Sequence, residues 1–207
     1  MSNLIEQLRK DVRFIEGLKA CINCGTCTAI CPAAQFYDYD PRQIADTMQK
    51  GNEEEIEHLL KSDTIWYCGE CLSCKTRCPR GKTPGYIIQS LRNLAQQNGY
   101  FAFSERGRQQ LHLKRTVGEN MLKYGYCVYI EEIDTEKDPE QGPIWDWYRK
   151  NAETILKKLG VNYKGNGAGT LRKMSEVDME ELRKIFAETG AIERFETIEK
   201  ECDDKGR

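Results

Sequence analysis

Cys21-Ile22-Asn23-Cys24-Gly25-Thr26-Cys27-Thr28-Ala29-Ile30-Cys31-Pro32 and Cys68-Gly69-Glu70-Cys71-Leu72-Ser73-Cys74-Lys75-Thr76-Arg77-Cys78-Pro79 are the stretches that decide how this chain folds. Each reads C-x2-C-x2-C-x3-C-P. Every cysteine of the second string lies 47 positions after its counterpart (68−21, 71−24, 74−27 and 78−31). A thiol-rich loop repeated at a fixed offset predicts two similar halves facing each other.

The spacing is that of bacterial [4Fe–4S] strings. Three thiolates two residues apart let a short loop wrap one face of an iron–sulfur cube, and the fourth serves the other cube. The proline after it lacks an N–H and fixes φ, which directs the chain outward into a new helix. Cluster one is therefore expected on Cys21, Cys24, Cys27 and Cys78, and cluster two on Cys68, Cys71, Cys74 and Cys31. The competing chemistry is structural zinc, which takes four thiolates from two separated pairs and has no use for a third and fourth at this spacing. A disulfide framework is disfavoured, because no signal-peptide pattern opens the chain and clustered CxxC in a reducing compartment points to metal. The expected location is cytoplasmic.

With 207 residues, 39% hydrophobic and 31% charged, the composition is that of an ordinary globular chain. A formal charge of −2 argues against nucleic-acid binding. No stretch approaches the ~20 apolar residues of a membrane span.

The expected fold is mainly α. Leu4, Ile5, Leu8, Val12 and Ile15 predict one amphipathic helix capped by Asn3. Between the strings, Asp40-Pro41 caps and opens a helix through Ile44, Ala45 and Met48 to Gly51. Glu53-Glu54-Glu55 opens a second, running through Ile56, Leu59 and Leu60 to Lys61. Thr83-Pro84 starts a longer helix with Tyr86, Ile87, Leu91, Leu94 and Ala95 on one side, ending at Gly99. Residues 1–100 are thus read as a helical domain binding two clusters, and 101–207 as a helical extension for subunit docking.

In that extension, Ser104 caps a helix over 104–123 with Leu111, Leu113, Val117 and Met121 apolar and Arg106, Arg108, Lys114 and Arg115 basic. Tyr126 to Ile133 alternates as a short strand would. Pro143 opens a helix ending at Gly160. Its Trp145 and Trp147 do not both fit the apolar face, and one is expected to touch another subunit. Gly165, Gly167 and Gly169 follow a helix and precede polar residues, so they read as a linker and not a phosphate loop. Ser175 caps a further helix to Gly190, and Ile192, Phe195 and Ile198 suggest one more. Cys127, Cys202, His58 and His112 lack neighbours at ligand spacing, and no residue of the chain is assigned a catalytic role.

Two such strings joined by a helical insert resemble the α-helical ferredoxin domain of succinate dehydrogenase iron–sulfur subunits, of the anaerobic glycerol-3-phosphate dehydrogenase C subunit and of the heterodisulfide reductase C subunit. The Ile65-Trp66-Tyr67-Cys68-Gly69-Glu70-Cys71 lead most resembles the last of these. No Cys-Cys-Gly occurs in the chain. The resemblance therefore implies an electron-relay subunit, passing single electrons through two [4Fe–4S] clusters between a flavin-containing subunit and a CCG-domain catalytic subunit. Asp138-Pro139-Glu140-Gln141-Gly142-Pro143-Ile144-Trp145-Asp146-Trp147 is similar to a segment of the sulfur-oxidising bacterial group. The alternatives are the iron–sulfur subunit of a glycerol-3-phosphate, lactate or succinate dehydrogenase, and a non-redox zinc scaffold.

Charge is unevenly placed. Lys75, Arg77, Arg80 and Lys82 crowd the second string, while Asp38 and Asp40 follow the first. Positive charge stabilises a reduced cluster, so the cluster held mainly by the second string is expected to have the higher potential.

Overall fold

The computed structural model describes residues 3–136 and 142–205. They fall into two compact units, one within 1–110 and 196–207, the other within 111–195.

The first unit begins with two short helices where the sequence suggests one. α1 (Leu4–Leu8) is capped by Asn3, whose Oδ1 accepts from Glu6 N at 3.0 Å. Asp11 then caps α2 (Val12–Leu18), accepting from Arg13 N at 2.9 Å. This second cap breaks the helical register, which leaves Val12 and Ile15 exposed and buries Phe14 and Gly17 instead. A third short helix, α3 (Thr26–Ala29), lies inside the first cysteine string. α4 (Pro41–Lys50) and α5 (Glu53–Lys61) join the strings as expected, with Asp40 and Asn52 as caps and Gly51 turning the chain at φ +67°. Glu53 does more than face its own helix end. Its carboxylate accepts from Leu4 N at 2.7 Å and Ile5 N at 3.1 Å, so α5 satisfies orphan donors of α1.

α6 (Ser73–Arg77) lies within the second string and packs against α3. α7 (Pro84–Gln97) is the central helix of the unit, burying Ile87, Ile88, Leu91, Leu94 and Ala95. α2 packs along it at Gly17, where a Cβ would stand 2.8 Å from Ile87 Cγ1 and 3.0 Å from the Thr83 carbonyl. Ile56, Leu60, Ile65 and Phe101 complete the core.

Ser104 caps α8 (Glu105–Leu113), accepting from Gly107 N at 2.9 Å. Its hydroxyl also donates to Asp63, whose Oδ1 accepts from Arg106 N at 3.0 Å. The turn before the second string is thereby bolted to the start of α8. Gly107 sits where a Cβ would meet the Phe101 carbonyl oxygen at 2.2 Å.

In the second unit the run continues as a π turn over Lys114–Gly118 and then α9 (Glu119–Tyr124). The wider turn shifts the apolar face, and Leu113 is exposed. Tyr126 to Ile133 is not a strand. It holds a 3-10 turn over Ile130–Glu132 that buries Ile130 and Ile133, while Tyr124 and Tyr129 stack at 3.8 Å. Among the described residues the sole β pairing is an isolated bridge between Tyr163 and Thr170.

α10 (Pro143–Lys158) buries Ala152 and Leu156 against Ile130 and Leu171. Trp147 is exposed, and Trp145 stands edge-on to Tyr148. Asp138 to Gln141 lie outside the described residues. The glycine-rich segment is a hydrogen-bonded loop in place of an open linker. Asn162 Nδ2 donates to the carbonyls of Asn166 and Ala168, and Thr170 N donates to Asn162 O at 2.9 Å. α11 (Glu176–Glu188), capped by Ser175, and α12 (Ala191–Lys205) follow.

Two outcomes are expected. Gly107→Ala lowers stability by about 1–3 kcal/mol in denaturant melts, despite alanine's better helix propensity, because backbone blocks the new methyl. At Asp63, burial pushes the carboxyl up, but the Ser104 hydroxyl, the Arg106 amide and the charges of Arg106 and Arg108 together hold it below its ordinary range. A depressed carboxylate stabilises above its unfolded pKa and loses that contribution as pH falls through the folded one. Asp63→Ala is therefore expected to cost about 1.5–3 kcal/mol near neutral pH. The difference from the parent chain closes as the melts are repeated at pH values falling below the ordinary carboxylate range.

Candidate functional site

The two strings adopt matching backbones. Asn23 and Glu70 both have φ +51°, and Gly25 at +81° is matched by Leu72 at +58°. Each pair is separated by the same 47 positions as the cysteines (70−23 and 72−25). Left-handed backbone at these points turns the loop on itself between its first three cysteines. Glycine meets the demand freely at position 25, whereas Leu72 meets it at some cost. Gly69, whose surroundings are open, is not a position where the fold requires glycine.

The surroundings of the thiols repeat as well. Thr26 Oγ1 lies 3.3 Å from Cys24 Sγ, and Ser73 Oγ lies 3.4 Å from Cys71 Sγ. These hydroxyls, with the amides of the same residues, hold both thiols below their ordinary range. Burial pushes Cys27 up to about 11 and raises Cys74 as well. Thus each string has one easily ionised thiol near the surface and one enclosed thiol that favours ionisation only when a cation or cluster is at hand.

Each string is also pinned by the helix that follows it. Gln49 on α4 donates to the Cys21 carbonyl at 2.8 Å, Asn23 donates to Asp46 and Gln49, and Thr28 donates to Asp40 at 2.5 Å. On α7, Arg92 donates to the carbonyls of Ile65 and Cys68 at 2.8 and 2.6 Å and to Glu70 at 2.6 Å, with its guanidinium over the Trp66 ring. Sequence reading missed Arg92 because an arginine on a helical face looks like an ordinary solvated charge.

Two cavities result. The first is lined by Cys21, Cys24, Cys27 and Cys78, together with Arg42, Arg80 and Lys82. The second is lined by Cys31, Cys68, Cys71 and Cys74, together with Phe36, Tyr37, Tyr39 and Tyr67. Each thus combines three cysteines of one string with the last cysteine of the other. Four cysteines lining one cavity, supplied in this way twice, match the donor types of a cubane pair. Pro84 at the start of α7 lines both cavities, and Gly85 N–H bonds to Cys74. A Cβ on Gly85 would press on Leu72 at 3.2 Å.

The charge distribution differs from the one expected along the sequence. Arg80 and Lys82 follow the second string in the chain, yet they line the cavity of the first. The second cavity is walled by aromatic rings, including the stacked pair Tyr37 and Tyr67 at 4.4 Å with Arg106 over both. Arg106, which the sequence places among the basic residues of the 104–123 helix, is engaged there. Cys127 is exposed and Cys202 buried, and neither lines these cavities.

Among the described residues no helix is long and apolar enough to cross a membrane. Residues 17–82 match the family model of the 4Fe-4S dicluster domain. Over 98% of its length the chain is 34% identical to the C subunit of the ferredoxin:CoB-CoM heterodisulfide reductase of Methanosarcina acetivorans, covering 75% of that protein. It is 36% identical to the iron-sulfur C subunit of the CoB--CoM heterodisulfide reductase of Methanopyrus kandleri, over 78% of this chain and 80% of that one. The C2 subunit of the H(2)/formate:CoB-CoM heterodisulfide,ferredoxin reductase of Methanococcus maripaludis is 40% identical over 83% of this chain and 74% of its own. The cofactors are accordingly two [4Fe–4S] clusters, and the chain belongs to the family of heterodisulfide reductase C subunits.

Proposed function

We propose that this chain is the electron-relay subunit of a heterodisulfide-reductase-type complex, with cluster one on Cys21, Cys24, Cys27 and Cys78 and cluster two on Cys31, Cys68, Cys71 and Cys74. The observation that carries the reading is the make-up of the two cavities, in which the last cysteine of each string joins the other three. The relatives are named for the CoB-CoM heterodisulfide. A flavin-containing subunit is the electron donor or acceptor on one side, and a CCG-domain catalytic subunit handling a disulfide of that class is on the other. Residues from about 101 onward serve subunit docking, and the complex works in the cytoplasm.

Bound in these cavities, a cubane supplies one-electron chemistry without proton transfer. The chain's own part is to fix the thiolates and set the local field. Arg92, Gln49 and Asp46 hold the loop backbones, so that little reorganises when charge changes. The lining of the second cavity is aromatic, with its nearby cations set behind it, Arg92 paired to Glu70 and Arg106 over the tyrosine rings. Arg42, Arg80 and Lys82 line the first cavity itself and offer compensating charge to an added electron there.

Co-purification under anaerobic conditions, with mass spectrometry of what stays bound, tests the assembly. A flavoprotein and a CCG-repeat protein are the expected companions, and a different dehydrogenase in their place would overturn it. The ligand pairing is checked by spectroscopy of single variants. Cys78→Ser is expected to alter the same electron paramagnetic resonance signal as Cys24→Ser, and Cys31→Ser the same one as Cys71→Ser. Redox titration is expected to place the cluster perturbed by Cys24→Ser at the higher potential, the reverse of the order suggested by charge along the sequence.

A further inference from the structure

The two halves repeat beyond their cysteines. Each string is followed by a helix opened by proline, Pro41 for α4 and Pro84 for α7. The capping residues before them share φ −125°, with ψ +99° at Asp40 and +84° at Thr83. The residue two places ahead of each proline, Tyr39 (41−39) in one half and Lys82 (84−82) in the other, is therefore set down in the same way. Tyr39 lines the second cavity with Cys31 and Cys68, and Lys82 lines the first with Cys78. Each follows the cysteine that crosses, and each ends at the cavity to which that cysteine crosses. The 47-residue offset hides the match, because Tyr39 lies eight positions after Cys31 (39−31) and Lys82 only four after Cys78 (82−78).

The two side chains differ in what they offer. Tyr39 is 4% exposed, the most deeply buried tyrosine of that cavity, and its phenol hydrogen-bonds Cys68. The other hydroxyls of the lining are engaged elsewhere: Ser73 with Cys71, and Tyr37 and Tyr67 in a stack beneath Arg106. No charged side chain lines this cavity, so a fixed O–H dipole acts there with little competition from solvent. Lys82 is half-buried and brings a full positive charge to the other cavity. Reduction adds negative charge to a cluster and its thiolates, so a donor or cation held beside them favours the reduced form and raises the potential. A charged donor does so more strongly than a neutral one.

Resting on the relay reading and its ligand pairing, we propose that this one position sets the order of the two potentials. Tyr39 is the hydrogen-bond donor that tunes the cluster on Cys31, Cys68, Cys71 and Cys74, and Lys82 is the cation that tunes the cluster on Cys21, Cys24, Cys27 and Cys78. One electron leaves one cluster and enters the other with no bond made or broken, and neither side chain gives up its proton. The exchange of phenol for ammonium at equivalent places makes the step between the clusters uneven.

The test is a redox titration of the full chain with both clusters in place, followed by electron paramagnetic resonance. Tyr39→Phe keeps the ring and removes the hydroxyl. It is expected to make the cluster perturbed by Cys71→Ser about tenfold harder to reduce, a fall of about 59 mV, and to leave the other within about twofold. Lys82→Met is expected to lower the midpoint of the cluster perturbed by Cys24→Ser by at least as much, Lys82→Arg to keep it, and Lys82→Tyr to bring the two midpoints together. Arg80→Gln, which takes an exposed cation from the same lining, is expected to have a much smaller effect than Lys82→Met. Hyperfine spectra of the reduced parent chain are expected to show a proton coupled to the second cluster that is lost in heavy water and in Tyr39→Phe.

A Tyr39→Phe chain whose midpoints stay put, or move together, would overturn the assignment, the second result marking a loosened fold and not a lost donor. So would a Lys82→Tyr chain that keeps the parent gap, a Lys82→Arg midpoint as low as that of Lys82→Met, or an Arg80→Gln shift as large. Parent spectra without an exchangeable proton at the second cluster would overturn it too, and that measurement stands even where a substituted chain loses iron. These results leave the relay reading intact. Anaerobic co-purification with a different dehydrogenase would overturn that reading while leaving the midpoint shifts as they are.

Discussion

The reach of a short cysteine loop is the constraint on which this structure depends. A loop with two-residue spacers encloses one side of a cubane-sized space with three thiols and can go no further. Something else must bring the fourth. Here each loop's last cysteine crosses to the other cavity, so neither half is complete alone. The packing of α3 on α6 and the placement of α7's first turn at both cavities follow from that demand. The rest of the first unit then acts as a frame: α4 grips the first loop through Asp46 and Gln49, and α7 grips the second through Arg92.

The two halves share a backbone but not an electrostatic environment. Matching φ values and matching thiol–hydroxyl contacts show that the loops themselves are equivalent. What differs is the second layer. Cationic side chains surround one set of thiols and aromatic rings the other. Burial in an apolar wall penalises added charge, while nearby cations compensate it. A repeated loop can thus give two centres of unlike potential without any change in the ligands.

Much of this was legible in the sequence, because the strongest signals are local. Cysteine spacing, the Asp40-Pro41 and Thr83-Pro84 helix starts and the Gly51 and Gly99 stops each depend on a few neighbouring residues. What escaped was non-local. Arg80 lies two residues after Cys78, and Cys78 itself belongs to the first cavity, so charge counted along the chain is assigned to the wrong centre. The break between α1 and α2 depends on Asp11 preferring a cap to a helical interior, a choice that apolar spacing alone does not reveal. Tyr126 to Ile133 alternates like a strand but has no neighbouring strand among the described residues, and its isoleucines are buried by a single 3-10 turn.

The crossing of the last cysteines also bears on how the protein is made. The three early thiols of the first cavity leave the ribosome well before Cys78, which is 51 residues beyond Cys27 (78−27). At the usual pace of synthesis that interval is about 3–10 s. For the second cavity the order is inverted: its remote member, Cys31, is already outside when Cys68, Cys71 and Cys74 emerge. The nascent chain therefore exposes an incomplete trio of thiols first and closes both cavities almost together, within the same few residues of translation.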